Sequence, residues 1–171
     1  IAAELERLGA RMTSASGSNT RYVSSQCLSQ DRLAVLSLMA DVIQKPDFPE
    51  EEGKKLQERL IAEIDSQKDQ WYLHLRSSFR KAYFGDKHPW SQPVVGRREV
   101  VSKLTATDLK KNHVARLGAA NGVLAVFGDI ELDETRKLAN ELFGKMPGKS
   151  PRQFSPPAPV QITTSLRQIQ I

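Results

Sequence analysis

Cysteine and long apolar runs are both scarce in this sequence. Cys27 is the single cysteine among 171 residues, which excludes an internal disulfide and any zinc site built from several thiolates. No apolar run approaches the ~18 residues of a membrane-spanning helix, and no signal peptide is visible. The first residues read as part of an amphipathic helix without an initiator Met. We therefore expect the chain to belong to a longer protein, whose compartment the missing signal does not decide.

Aromatic residues and clustered charges are also scarce. Aromatic side chains make up 6% of the residues, and the net charge of +5 comes from bases that are spread along the chain. No run of five or more like charges occurs. A surface for nucleic acid combines clustered Lys and Arg with rings that stack on bases, so this composition argues against nucleic-acid binding.

Complete catalytic and metal-binding motifs are missing as well. The three histidines, His74, His88 and His113, do not have the spacing of the HExxH or HxxEH zinc motifs. The glycines are isolated, so there is no phosphate-binding loop, and no GxSxG elbow supports a serine nucleophile. The sequence by itself contains no complete active site.

Three single residues allow two interpretations each. His88 is either an active-site base or a loop histidine that is held by Pro89 and packed near Trp90, and we favour the packed histidine. Trp71 and Tyr72 are either core aromatics or a platform for a ligand, and we favour the core.

The residues that are present suffice for one core. With 39% hydrophobic and 26% charged residues, the chain is typical of a single soluble globular domain. A helix ends at Gly9, and two short strands follow at 10–16 and 20–28, around a turn at 17–19. The nearly all-apolar segment 32–44 is predicted to be the most buried helix.

Further helices are predicted from their ends. Three glutamates after Pro49 predict a helix at 50–70, which continues or restarts through 71–84. Thr105 and Asp108 form a capping-box pattern that opens a helix to about residue 117.

The later part of the chain predicts a strand and a last helix. The apolar run Val123–Phe127 lies between Gly122 and Gly128 and is typical of a central strand. The segment 129–133 leads into a last helix, which ends at Gly144.

Glu63 is the carboxylate that the helical pattern singles out. Leu56, Leu60, Ile61 and Ile64 recur at helical spacing, and on that wheel Glu63 falls beside Leu56, at the edge of the apolar stripe. A carboxylate against apolar surface must be paired, hydrogen-bonded or bound to a cation. Glu63 is therefore either a structural edge residue or a metal ligand.

Several segments in a fixed order resemble one half of a pitrilysin- or insulinase-type zinc metallopeptidase, a family that includes the mitochondrial processing peptidase and the bc1 core subunits. The resemblance extends over nearly the entire chain. The segments that carry it are LERLGA (5–10), LMADVIQKPDFPEEE (38–52), LQERLIAEI (56–64), FGDKHPW (84–90), Gly96 followed by LTATDL (104–109), LAVFGDIELDE (124–134) and LFGKMP (142–147).

This resemblance implies an α+β fold with a mostly antiparallel sheet and helices packed on one face. Residues 1–146 would form a partial half-unit, truncated at its N-terminus, and 147–160 a proline-rich connector. The segment 161–171 would begin a strand that leads into a following half. Such a half-unit pairs with a second half, in the same chain or in a homologous subunit, to enclose a chamber for extended peptides.

The resemblance also implies a zinc site. Active members bind Zn²⁺ through both histidines of HxxEH, whose glutamate is the general base, and through a later glutamate that matches Glu63 here. The inverted motif would fall before Ile1, so this part of the chain is expected to bind no zinc and to be inactive alone. Active halves carry another glutamate two turns before the ligand, where this chain has Leu56.

We therefore favour a non-catalytic half of a bacterial zinc metalloendopeptidase. The hairpin sequence ASGSNTRY also resembles the corresponding sequence of non-catalytic halves more than that of active halves. The alternatives are a catalytic half whose HxxEH motif lies outside this sequence, and a structural protein like the bc1 core subunits. We expect no nucleic-acid or membrane partner, and a bacterial periplasm rather than a cytoplasm.

Overall fold

The computed structural model describes residues 1–17 and 20–148. Its helices and strands, in chain order, are α1 (Ala2–Arg7), β1 (Arg11–Ser16), β2 (Arg21–Gln26), α2 (Arg32–Gln44), α3 (Glu50–Ser66), α4 (Trp71–Phe84), α5 (Arg98–Val101), α6 (Ala106–Arg116) and α7 (Leu132–Phe143). The fold is α+β, as the sequence predicts. Within the described residues its sheet is one antiparallel hairpin of β1 and β2.

The chain divides into two compact units. Within the described residues, the first unit joins Ile1–Asp47 to the stretch that begins at Lys110, and the second unit is Phe48–Leu109. The boundary therefore falls inside α6.

The two predicted strands form an antiparallel hairpin in the first unit, with β1 one residue shorter and β2 three residues shorter than predicted. Arg11 lies opposite Gln26 and Ser16 lies opposite Arg21. Met12, Val23 and Ser25 are half-buried on one face, while the Thr13 and Ser24 hydroxyls hydrogen-bond at 2.8 Å on the exposed face. The alternation gives this sheet one face for packing and one for solvent.

Helix α2 supplies the core of the first unit, which confirms the predicted most buried helix. Val35 is 1% exposed, and Met39 and Ala40 are buried beside it. The helix contacts both β2 and α7.

A hydrogen bond and an ion pair link α2 to α7 in the first unit. The Gln44 amide donates to the Leu142 carbonyl at 2.8 Å, and Arg32 pairs with Glu134 at 2.7 Å. These bonds hold both ends of α2 beside α7.

The second unit is organised by the packed side of α3. Gln57, Leu60, Ile61 and Ile64 are half-buried, and the helix contacts α5. The Gln57 amide donates to two carbonyls, at 2.8 Å to Val101 and at 3.1 Å to Leu104. It thereby ties α3 to the end of α5 and to the residues that follow it.

The predicted central strand at Val123–Phe127 is wrong for the described structure. This segment forms no strand, and Val123 and Phe127 are 96% and 90% exposed. A run that is apolar on both sides indicates a strand only when neighbouring strands pair with it. Within residues 1–17 and 20–148, β1 and β2 pair with each other instead.

The predicted connector at 147–160 and the strand at 161–171 lie almost wholly outside the described residues, as does most of the turn at 17–19. The division into a half-unit, a connector and a following strand stays a prediction.

The capping box of α6 gives the first testable prediction. The Asp108 N–H donates to the Thr105 hydroxyl at 3.2 Å, and the Thr105 N–H donates to the Asp108 carboxylate at 3.1 Å. We expect Thr105→Ala to lower the free energy of unfolding by about 1 kcal/mol, measured by urea denaturation. Thr107→Ala, at an exposed position of the same helix, is the control and should change it by less than about 0.5 kcal/mol.

Gly96 gives a second prediction. Its φ is +93°, and a Cβ at this position would lie 2.9 Å from Cγ2 of the buried Val101. We expect Gly96→Ala to lower the free energy of unfolding by about 2–3 kcal/mol, from backbone strain and from the clash together.

Gly85→Ala is the matched control, because Gly85 also has a positive φ, of +79°, but a Cβ there would meet no described atom within 4 Å. It should carry the strain without the clash and so cost less than Gly96→Ala. Equal losses in the two variants would show that Val101 moves aside.

Candidate functional site

Glu63 lies in the last turn of α3 with an exposed side chain. Leu56, two turns earlier, is 38% exposed and belongs to the same outward side of the helix. The predicted stripe needs correction here, because Leu60, Ile61 and Ile64 do face the unit but Leu56 does not. Among the described residues, Glu63 thus lies on the exposed side of α3 and not on its packed side.

His88 is held by its own loop. Its Nδ1 accepts a hydrogen bond from the Trp90 N–H at 3.0 Å, and its ring stacks on Phe84 with centroids 4.8 Å apart. The buried Ser91 hydroxyl donates to the His88 carbonyl at 2.7 Å. The packing of His88 near Trp90 is therefore confirmed, and the loop accounts for its Nδ1 without a catalytic role.

The other two histidines do not converge with Glu63 on a metal site. Nε2 of His113 lies 2.9 Å from the Ile43 carbonyl, and His74 is exposed on α4. Across residues 1–17 and 20–148, no three His, Cys, Asp or Glu side chains are grouped so that they would hold a metal.

The described residues therefore offer no set of three ligands for zinc. A catalytic zinc site needs three protein ligands and an open position. Glu63 alone supplies one carboxylate, so no catalytic step follows from the described residues. Its part as a third ligand in a larger protein stays a prediction.

Cys27 is not an activated nucleophile. Burial raises the pKa of this half-buried thiol, and the charge of Asp31 adds to the effect. The thiol is therefore mostly protonated near neutral pH, whereas nucleophilic cysteines have a lowered pKa.

The interpretation of Trp71 and Tyr72 as core aromatics is wrong. They are 66% and 53% exposed, while Leu73 and Phe84 on the other side of α4 are half-buried. The sequence carried a signal for this, because apolar residues recur on two sides of α4. A helix that packs on one side needs apolar residues on that side alone.

Membrane spanning has no support in the described part of the chain. None of its helices combines the length and the apolar character that crossing a bilayer requires.

Comparisons with known sequences agree on one family. The sequence profile described as "Peptidase M16 inactive domain" matches residues 103–170. An uncharacterized zinc protease of Mycobacterium leprae is 29% identical over 157 residues, which are 92% of this chain and 35% of that protein. A protein of the same description from Rickettsia bellii is 25% identical and covers 91% of this chain and 38% of its own length.

A solved structure has the same fold. The crystal structure of a peptidase M16 inactive domain from Pseudomonas fluorescens superposes with a TM-score of 0.84, at 24% identity, over 92% of this chain and 39% of that one. This chain thus spans between a third and two fifths of the length of the proteins it matches.

The order of segments along the chain, the α+β fold and the profile match lead to the same result. Over residues 103–170 in sequence, and over most of the chain in fold, this protein is similar to the inactive domains of pitrilysin-type (M16) zinc metallopeptidases.

Proposed function

We propose that this half-unit serves a larger zinc-dependent endopeptidase by closing a chamber and by gripping extended peptide, while another half-unit supplies the zinc. The observation that carries the proposal is the match of residues 103–170 to the peptidase M16 inactive-domain profile, together with a fold that superposes on a solved peptidase M16 inactive domain.

The hairpin supports the peptide-gripping part of the proposal. Within the described residues the sheet has two strands, so each strand has one edge that borders no other strand. Such edges pair with extended peptide through main-chain hydrogen bonds, largely without regard to side-chain identity. A chamber wall that holds many peptide sequences needs this kind of recognition.

Two other functions remain as outcomes of the test. A catalytic half whose HxxEH motif lies outside this sequence would use Glu63 as its third ligand. A structural protein of the core-subunit kind would assemble without cutting peptides. A periplasmic location stays a prediction, and the relatives named above come from bacteria.

The decisive variant is Glu63→Gln in the full-length gene product that contains these residues. We expect its zinc content by elemental analysis, and its rate on an unstructured fluorogenic peptide, to match the unmodified protein within about twofold. A ligand carboxylate replaced by an amide would instead cost metal affinity and activity by about a hundredfold or more.

Glu58→Gln is the matched control, because Glu58 is also exposed on α3. Loss of zinc in Glu63→Gln but not in Glu58→Gln would identify a catalytic half. A full-length product that contains no zinc and cuts no peptide would identify the structural alternative.

The 171-residue chain itself gives another prediction. We expect calorimetric titration with Zn²⁺ to show no stoichiometric binding at submicromolar affinity. Such binding needs three convergent ligands, and Glu63 is the single carboxylate whose position matches a zinc ligand of active members. Tight binding that disappears in a His74→Ala, His88→Ala or His113→Ala variant would contradict the donor set described above.

A further inference from the structure

Helix α4 is apolar on two opposite sides. Leu73, Ser77 and Phe84 lie on its half-buried side. Tyr72, Leu75, Phe79 and Tyr83 follow one another at spacings of three and four residues and lie on a different side, which we call the α4 stripe.

The α4 stripe is exposed along its whole length. The exposed fractions are 53% for Tyr72, 50% for Leu75, 62% for Phe79 and 37% for Tyr83. The rings of Phe79 and Tyr83 stack with centroids 5.7 Å apart, so they present one continuous apolar surface. Trp71 extends it at the start of the helix, where its ring meets Tyr72 edge to face.

This arrangement is unusual for a helix whose outward side faces solvent. The outward side of a surface helix is normally polar, whereas a helix that is apolar on both sides is normally buried on both. Contiguous exposed apolar patches on soluble proteins mark interaction sites more often than single exposed residues do. Aromatic side chains are also enriched at the centres of interfaces.

The charges around the stripe indicate what would cover it. The α4 segment Trp71–Phe84 contains Arg76, Arg80 and Lys81 but no Asp or Glu. On the helical wheel Arg76 borders the stripe directly. An apolar surface with a carboxylate at its rim would bury the rings and pair with Arg76.

We propose that the α4 stripe is the surface on which another half-unit of the larger protein docks, through an apolar segment flanked by Asp or Glu. This inference rests on the proposed function and names the contact that joins the two halves. The matched relatives are long enough to contain another half-unit, because about three fifths of their length lies outside the part that this chain covers.

A second copy of this chain fits the stripe less well. Two α4 helices packed along their stripes would bring Arg76 of both copies into one contact, and no carboxylate of α4 would offset the two charges. A lipid surface would match the basic and aromatic character, but the proposed function already requires a second half-unit beside this one. Both serve as outcomes that would overturn the proposal.

The test is site-specific photocross-linking in the full-length gene product. Phe79 is replaced by p-benzoylphenylalanine, which keeps an aromatic ring in place, and cross-linked peptides are identified by mass spectrometry after irradiation. We expect the main product to join Phe79 to a half-unit outside the 171 residues, with a yield at least about tenfold above that of the same probe at Lys81. Lys81 is exposed on another side of the same helix.

Charge-introducing variants provide an independent readout. Phe79→Glu and Leu75→Glu should each make the halves separate after limited proteolysis of the full-length product, as seen by size-exclusion chromatography, with an apparent dissociation constant raised by about thirtyfold or more. Leu132→Glu on α7 is the matched control, since Leu132 is 66% exposed and lies outside the stripe. Circular dichroism confirms that each variant is folded.

The possible results separate this inference from the proposed function. If the halves stay together in Phe79→Glu and the probe cross-links no more than at Lys81, the stripe is not the docking surface although the halves pair. Cross-links to α4 of a second copy, or to phosphatidylglycerol vesicles added as the lipid probe, would also overturn it. A full-length product without any second half-unit would overturn the proposed function as well.

Discussion

Burial of one side of α2 is the interaction on which the first unit depends. Val35 and Met39 are almost completely buried there, and burying side chains of this size contributes about 1.5–3 kcal/mol each. The small strands of the hairpin, rich in Ser, Thr and Ala, bury little by themselves and use α2 as cover. In the second unit, α3 has the corresponding position, with one side packed and with Gln57 bonded to two backbone carbonyls.

The charged groups of the chain lie outside the packed sides of α2 and α3. Their packed sides hold apolar groups, while charged groups lie at the surface, some of them in local ion pairs such as Glu51 with Lys55. Exposed pairs of this kind contribute little to stability. Within the described residues, no three His, Cys, Asp or Glu side chains are grouped as metal ligands.

Sequence patterns predicted the helices and strands well, but they predicted less well which neighbours cover each apolar residue. The bounds of α2, the strands near 11–16 and 21–26, and the Thr105–Asp108 cap all follow from signals within a few residues. Leu56 and Trp71 were misplaced because periodicity shows that a residue is apolar but not which neighbour covers it. The same reason applies to Val123–Phe127, whose strand would need a partner strand that the sequence pattern cannot name. For Glu63, the family resemblance gives a candidate role, while its actual ligands depend on residues beyond this chain.

The open segment at Val123–Phe127 has a consequence for handling the protein. These five apolar residues belong to no strand in the described structure, and Val123 and Phe127 are almost fully exposed. Segments of this composition readily stack into intermolecular cross-β structure. Concentrated solutions of the isolated chain are therefore prone to aggregate through this segment, and a charged gatekeeper residue placed within it would improve solubility.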